Sequence, residues 1–177
     1  MSHRPEGLRF LTLTRAVAFA MKQPILIVGT IMLLVVHSPA ADLGVPVSKE
    51  EVRSAITLFR QAPASPRGRA AGKVVQSFAE KNDSVIIYIT TKVVPFLSNV
   101  KIPHEDRALL LDAFFVGNID SQLLRNEKKD HPYDGVLEVI EVYRRMRVRD
   151  PAVRIAEVEK FIDLEKRGEL KQYVGSH

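Results

Sequence analysis

The chain has 177 residues, of which 27% are charged and 46% are apolar, and this length suits one ordinary domain. It contains no cysteine, which excludes disulfide scaffolds, thiol nucleophiles, thiolate zinc sites, iron–sulfur clusters and lipids attached to cysteine. Ample Leu, Ile and Val also argue against a wholly disordered chain.

The net charge of +5 is unevenly distributed. Residues 1–40 contribute +3, and residues 41–177 contribute only +2. A basic chain is typical of proteins that bind nucleic acid or an anionic membrane. Most of the excess lies in a segment that we expect to be removed, so the charge gives little support to either partner, and we expect no nucleic-acid binding.

The N-terminal region has the pattern of a secretory signal peptide. Residues 25–36 form a run of twelve without a charge, Lys22 precedes it, and small residues follow it. This is the order of a basic region, an apolar region and a cleavage site. We therefore predict that residues 1–40 are a signal peptide and that cleavage falls between Ala40 and Ala41.

Two alternatives concern this region. An uncleaved inner-membrane anchor would need about 20 apolar residues, and extending the run to that length would bury Lys22. Met21 is a second candidate start site beside Met1, because it begins a compact signal peptide by itself.

Export of a chain without cysteine favours a bacterial protein of the periplasm or the exterior. It would be membrane-bound only if the N-terminal segment is retained.

After a linker over residues 41–47, the pattern predicts one all-α domain of five to seven short helices over residues 48–168. Ser48 and Glu51 match a capping box, which predicts a helix over residues 49–61. Ser65 and its following proline predict the start of a second helix, which ends near residue 81.

The segment Val85–Thr91 is ambiguous. Its β-branched and aromatic residues favour a strand. A strand needs a partner, however, and the mature chain has no second convincing run. Apolar residues at helical spacing also continue beyond the segment, so we predict a buried helix here.

The following helices form the rest of the predicted core. Residues 109–116 are apolar nearly all round apart from Asp112, which is typical of a central helix. Gly117 and Asn118 predict a break before a short helix over residues 119–125. Two further helices are predicted, one beginning at Pro132 as a first-turn proline and one beginning at Asp150–Pro151, and Gly168 is the predicted C-cap of the second. We expect residues 169–177 to be a flexible tail.

The sequence carries no signature of an active site. It has no Gly-x-Ser-x-Gly elbow, Walker sequence or Gly-x-Gly-x-x-Gly loop. His104 and His131 with a carboxylate would be acceptable zinc ligands. Neither histidine lies in a His-x-x-x-His pair, so we predict no metal and no cofactor.

Asp112 is the most informative acidic residue, because it interrupts an apolar run. A buried carboxylate must find partners or have its pKa raised. We expect a structural bond from Asp112 to an arginine or to a helix terminus.

Two clusters of basic residues, at residues 60–73 and 144–154, are expected to be solvated or paired in salt bridges.

These observations predict an exported helical protein without a catalytic constellation. We expect a non-enzymatic protein that binds another envelope protein or a peptide through a helical surface. The alternative is a small helical enzyme, or a ligand- or metal-binding protein, that uses His104, His131 and Asp112. A further alternative is a membrane-anchored protein with an uncleaved N-terminal helix.

Overall fold

The computed structural model describes residues 47–175. The predicted signal peptide, its cleavage site between Ala40 and Ala41, and the candidate start at Met21 lie outside the described residues. Within residues 47–175 the chain forms six α-helices and one short 3-10 helix, without a strand. In chain order these are α1 (Lys49–Gln61), α2 (Pro66–Lys81), the 3-10 helix (Pro95–Ser98), α3 (His104–Arg125), α4 (Pro132–Arg149), α5 (Ala156–Lys166) and α6 (Leu170–Gly175). The predicted all-α domain is confirmed.

The helix α3 lies at the centre of the domain. It packs most extensively against α4 and also contacts α2, α1 and the 3-10 helix, while α5 and α6 pack against α4. Large aromatic side chains fill the core between these helices: Phe59, Phe78, Phe96, Phe114, Tyr143 and Phe161. None of the helices within residues 47–175 combines the length and the apolar character that a membrane crossing requires.

The first two helices begin where the capping signals predict. Ser48 Oγ accepts a hydrogen bond from the backbone N–H of Glu51 at 3.2 Å, and Glu51 Oε2 accepts one from the backbone N–H of Ser48 at 2.7 Å. Ser65 Oγ accepts from the backbone N–H of Gly68 at 3.0 Å at the start of α2. These bonds satisfy N–H groups that have no partner inside the helix.

The prediction of a helix over Val85–Thr91 is wrong, and no strand forms there either. The side chain of Gln122 replaces a strand partner in this segment. The backbone N–H of Ile86 donates to Gln122 Oε1 at 3.1 Å, and Gln122 Nε2 donates to the carbonyl of Ile86 at 2.8 Å. One amide thus satisfies both backbone groups of Ile86, and the neighbouring Val85 side chain is buried.

The predicted break at Gly117 and Asn118 is also wrong, because α3 continues through both residues to Arg125. Gly117 lies where α4 approaches α3 closely. A Cβ at this position would lie 2.8 Å from Glu138 Cβ. The side chain of Asn118 is fully buried and donates to Asp130 Oδ1 at 2.7 Å. Both residues therefore serve helix packing and not a turn.

The C-terminal part of the domain departs from the prediction at two points. The helix expected at Asp150–Pro151 begins later, at Ala156, because Asp150 Oδ1 instead accepts from the backbone N–H of Ala152 at 3.0 Å and stabilises a local turn. Gly168 has a φ of +73° after α5, as the predicted helix end requires.

The expectation of a flexible tail is wrong for α6. This short helix carries two apolar side chains one turn apart, Leu170 and Val174, and both are buried. Their burial against the domain orders the segment, since a helix of six residues is not stable in water by itself.

Candidate functional site

The structure does not bring together His104, Asp112 and His131. His104 is the exposed first residue of α3, and Asp112 follows eight residues later, which corresponds to about 12 Å along the helix axis. His131 precedes α4 and contacts the C-terminal half of α3, beyond Asp112. Within residues 47–175, no three histidine, aspartate or glutamate side chains cluster as a metal site would need.

His131 connects the loop between α3 and α4 to its surroundings. Its Nδ1 lies 2.8 Å from Arg125 Nη1, and its Nε2 lies 2.9 Å from Glu127 Oε1. An arginine only donates, so Nδ1 acts as the acceptor and the ring proton is on Nε2 in the neutral state. The backbone N–H of His131 donates to Asn118 Oδ1 at 3.2 Å. These contacts give His131 a structural role in the loop.

A cluster of buried and partly buried polar side chains, which the sequence pattern did not predict, occupies the same end of α3. Gln122 Nε2 donates to Asn118 Oδ1 at 2.8 Å, and Ser121 Oγ donates to Asp134 Oδ2 at 2.6 Å. We call Asn118, Ser121, Gln122, His131 and Asp134 the polar cluster. Asn118, Ser121 and Gln122 stand at positions i, i+3 and i+4 of α3. This spacing places them on one face of the helix and is the signal from which the cluster could have been predicted.

The arginines of the two basic clusters mostly form ion pairs. Arg60 Nη1 lies 2.7 Å from Asp120 Oδ2, and its Nη2 lies 2.8 Å from Glu138 Oε2, so one guanidinium joins α1 to α3 and α4. Burial would lower the pKa of Arg60, but the bonds to Glu138 and Asp120 raise it above its ordinary value. Further pairs lie on the surface of α4, α5 and the loop between them: Arg144–Glu165, Arg145–Glu141, Arg147–Glu159 and Arg154–Glu159.

Asp112 is buried where α3 meets α2, with 6% of its surface exposed. The expected bond to an arginine or to a helix terminus is not found among the described residues. Burial raises the pKa of Asp112 to about 6, and the positive charge of Lys73 opposes that rise. The carboxyl group therefore titrates closer to neutrality than an exposed aspartate does.

A groove of about 400 Å³ lies between the α1–α2 turn and the C-terminal half of α4. Residues 61–65 form one wall of the groove, and Leu109 of α3 also lines the groove. The remaining lining residues are all from α4: Val142, Arg145, Met146 and Arg149. The lining thus combines apolar side chains with two arginines and contains no acidic residue.

The two arginines of the groove differ in their partners. Arg145 Nε lies 3.2 Å from Glu141 Oε1, and its Nη1 donates to the carbonyl of Arg60. Arg149 forms no hydrogen bond or ion pair with another described residue. Burial raises the pKa of Asp106, and Arg149 is the charge that opposes this rise, so the two side chains interact only at longer range. Arg149 is therefore available to an external anion.

Comparison with known proteins assigns no family, since no protein-family model, curated protein or solved structure matches this chain.

Proposed function

We propose that this chain is an exported bacterial protein without enzymatic activity, and that it binds an acidic, partly apolar segment of another envelope protein. The observation that carries the proposal is the groove beside α4, where apolar side chains meet the guanidinium of Arg149, which has no close partner within residues 47–175. A peptide that places an aliphatic side chain against Met146 and a carboxylate against Arg149 would match both features. Carboxylates form strong, directional hydrogen bonds with guanidinium groups.

The bonding of the polar side chains supports a binding role over a catalytic one. His131 and Asp134, whose residue types are typical of active sites, contact other groups of the domain. A general acid or base must instead reach a substrate in an accessible pocket. Three arginines of α4, Arg144, Arg145 and Arg147, are paired with acidic side chains, which supports the expectation of no nucleic-acid partner.

Export is the second part of the proposal. The pattern of residues 1–40 supports a cleaved signal, which would release a chain beginning at Ala41 into the periplasm or the exterior. Cell fractionation with intact-mass measurement on each fraction tests this. A soluble species beginning at Ala41 would support export with cleavage. A full-length mass in the membrane fraction would instead indicate an inner-membrane anchor.

Binding is tested with two labelled peptides of equal length, one alternating Glu and Leu and the other alternating Gln and Leu. Fluorescence anisotropy with the purified protein should show binding of the glutamate peptide and weaker binding of the glutamine peptide. Arg149→Ala should weaken binding of the glutamate peptide about five- to tenfold, which corresponds to a loss of about 1.0–1.4 kcal/mol.

Arg53→Ala provides the matched control, because Arg53 is an exposed arginine on α1 outside the groove. It removes the same charge and should leave the affinity unchanged. Equal losses in both variants would mean that net charge and not the groove attracts the peptide. Failure of the wild-type protein to bind either peptide would contradict the proposal.

A further inference from the structure

The contact between α2 and α3 is closest where Gly72 faces Asp112. A Cβ at Gly72 would lie 2.7 Å from Asp112 Cγ and 2.8 Å from Asp112 Oδ2. These distances are shorter than van der Waals contact, so only a glycine lets α2 approach the carboxyl group this closely. The carboxyl group of Asp112 therefore lies in the packed interface and has little contact with solvent.

Nothing in the described part of the chain neutralises Asp112 at close range. It has no hydrogen bond or ion pair there, and Lys73 of α2 is the charged group that acts on it electrostatically. The helices α1 and α4, the 3-10 helix and the rest of α3 contribute no charge that affects it. An ionised carboxylate at this position loses hydration without gaining a partner, which is unfavourable.

We propose that Asp112 is a proton-dependent switch in the interface between α2 and α3. With its proton bound, the carboxyl group is neutral and the two helices pack closely around it. Without the proton, the negative charge favours conformations in which α2 moves away and admits water to the carboxylate. This proposal goes beyond the groove and does not depend on what the groove binds.

The direction of the pH effect follows from the raised pKa. The folded state holds the proton up to a pH of about 6, whereas the unfolded chain releases it near the ordinary value of 3.8. The contribution of Asp112 to stability is thus complete below pH 3.8 and is lost as the pH rises through 6. Two pKa units correspond to a change of up to about 100-fold in the unfolding equilibrium constant.

The first test is a carbon-13 NMR titration of the Asp112 carboxyl carbon in the purified wild-type protein. The proposal predicts a midpoint near pH 6 and, after correction for intrinsic exchange, faster amide hydrogen exchange in α2 at pH 7.5 than at pH 5. This measurement needs no variant, so it decides the question even if a substitution at residue 112 impairs folding. A midpoint near pH 4, or α2 exchange that is independent of pH, would overturn the proposal.

The second test compares Asp112→Asn with Asp83→Asn, which removes an exposed carboxylate from the loop after α2. Urea unfolding is measured from pH 4 to pH 8 for both variants and the wild type. Asp112→Asn should unfold at higher urea than the wild type above pH 6, with a difference that disappears towards pH 4. Asp83→Asn should follow the wild type at every pH. A constant offset between Asp112→Asn and the wild type would refute a proton-dependent role.

Discussion

The two ends of α4 use polar side chains in opposite ways. At its N-terminal end, the polar cluster bonds to itself and to the backbone, as the pairs Ser121–Asp134 and Gln122–Ile86 show. At its C-terminal end, the groove presents Arg149 without a close partner among the described residues. The first arrangement stabilises the fold, and the second leaves a charge available for a ligand. Residue types that suggest chemistry in a sequence therefore have to be judged by what they contact.

The largest effect on stability is expected from Gln122→Leu. This change removes the hydrogen bonds to both backbone groups of Ile86 and to Asn118, and it leaves buried polar groups unsatisfied. Each such group costs about 1–3 kcal/mol, so we expect a loss of about 3 kcal/mol in the free energy of unfolding. Urea denaturation measures it. A loss below about 1 kcal/mol would show that the cluster is not essential for stability.

Arg60→Met tests the middle of α4, between the two ends. The Arg60 guanidinium contacts Asp120 and Glu138, and its removal would leave both partly buried carboxylates without this cation. The arginine itself is 40% exposed, so water partly screens the pair, and we expect a loss of about 1–2 kcal/mol. Thermal unfolding at neutral pH measures the change. An unchanged melting temperature would contradict a stabilising role for this ion pair.

Ser121→Ala is a milder test of the polar cluster. It removes the 2.6 Å bond from Ser121 Oγ to Asp134 Oδ2 but retains the contact of that carboxylate with Arg125 Nη1 at 3.4 Å. The expected loss is about 1 kcal/mol. Urea denaturation of both variants should show a smaller loss of stability in Ser121→Ala than in Gln122→Leu. A larger loss in Ser121→Ala would mean that the bonds to Ile86 stabilise the fold less than we infer.

The smallest effect on stability is expected at the other end of the helix. Arg149→Ala should change the free energy of unfolding by less than about 0.5 kcal/mol, because no hydrogen bond or ion pair with a described residue is lost. Thermal unfolding of the variant beside wild type and Arg53→Ala measures this. A larger loss would mean that Arg149 belongs to the fold and would remove the basis for a ligand there.

Local signals in the sequence predicted the parts of the fold that local interactions determine. The predicted N-caps at Ser48 and Ser65 are confirmed, because a cap acts on residues within one helical turn. The segment at Val85 could not be predicted, since its backbone partner Gln122 lies 36 positions along the chain from Ile86. The role of Gly117 could not be predicted for a similar reason, because only the packed structure shows how closely α4 approaches it.

The groove was even harder to predict from the sequence than the fold, because the residues that line it are far apart along the chain. Its walls come from the α1–α2 turn and from α4, which are far apart in the sequence, so no motif marks the groove. The sequence shows Arg149 only as a member of a basic cluster. Its neighbours in that cluster, such as Arg144, have acidic partners, whereas Arg149 has none in the described part of the chain. The spacing of charges along one helix does not reveal this difference.

The most direct test of the proposed function is to measure affinity and stability together in Arg149→Ala and Ser121→Ala. Anisotropy with the glutamate–leucine peptide and urea denaturation give the two quantities for each variant. We predict that Arg149→Ala weakens binding about five- to tenfold at unchanged stability. We also predict that Ser121→Ala lowers stability by about 1 kcal/mol at unchanged affinity. Unchanged affinity in Arg149→Ala would contradict a ligand site in the groove.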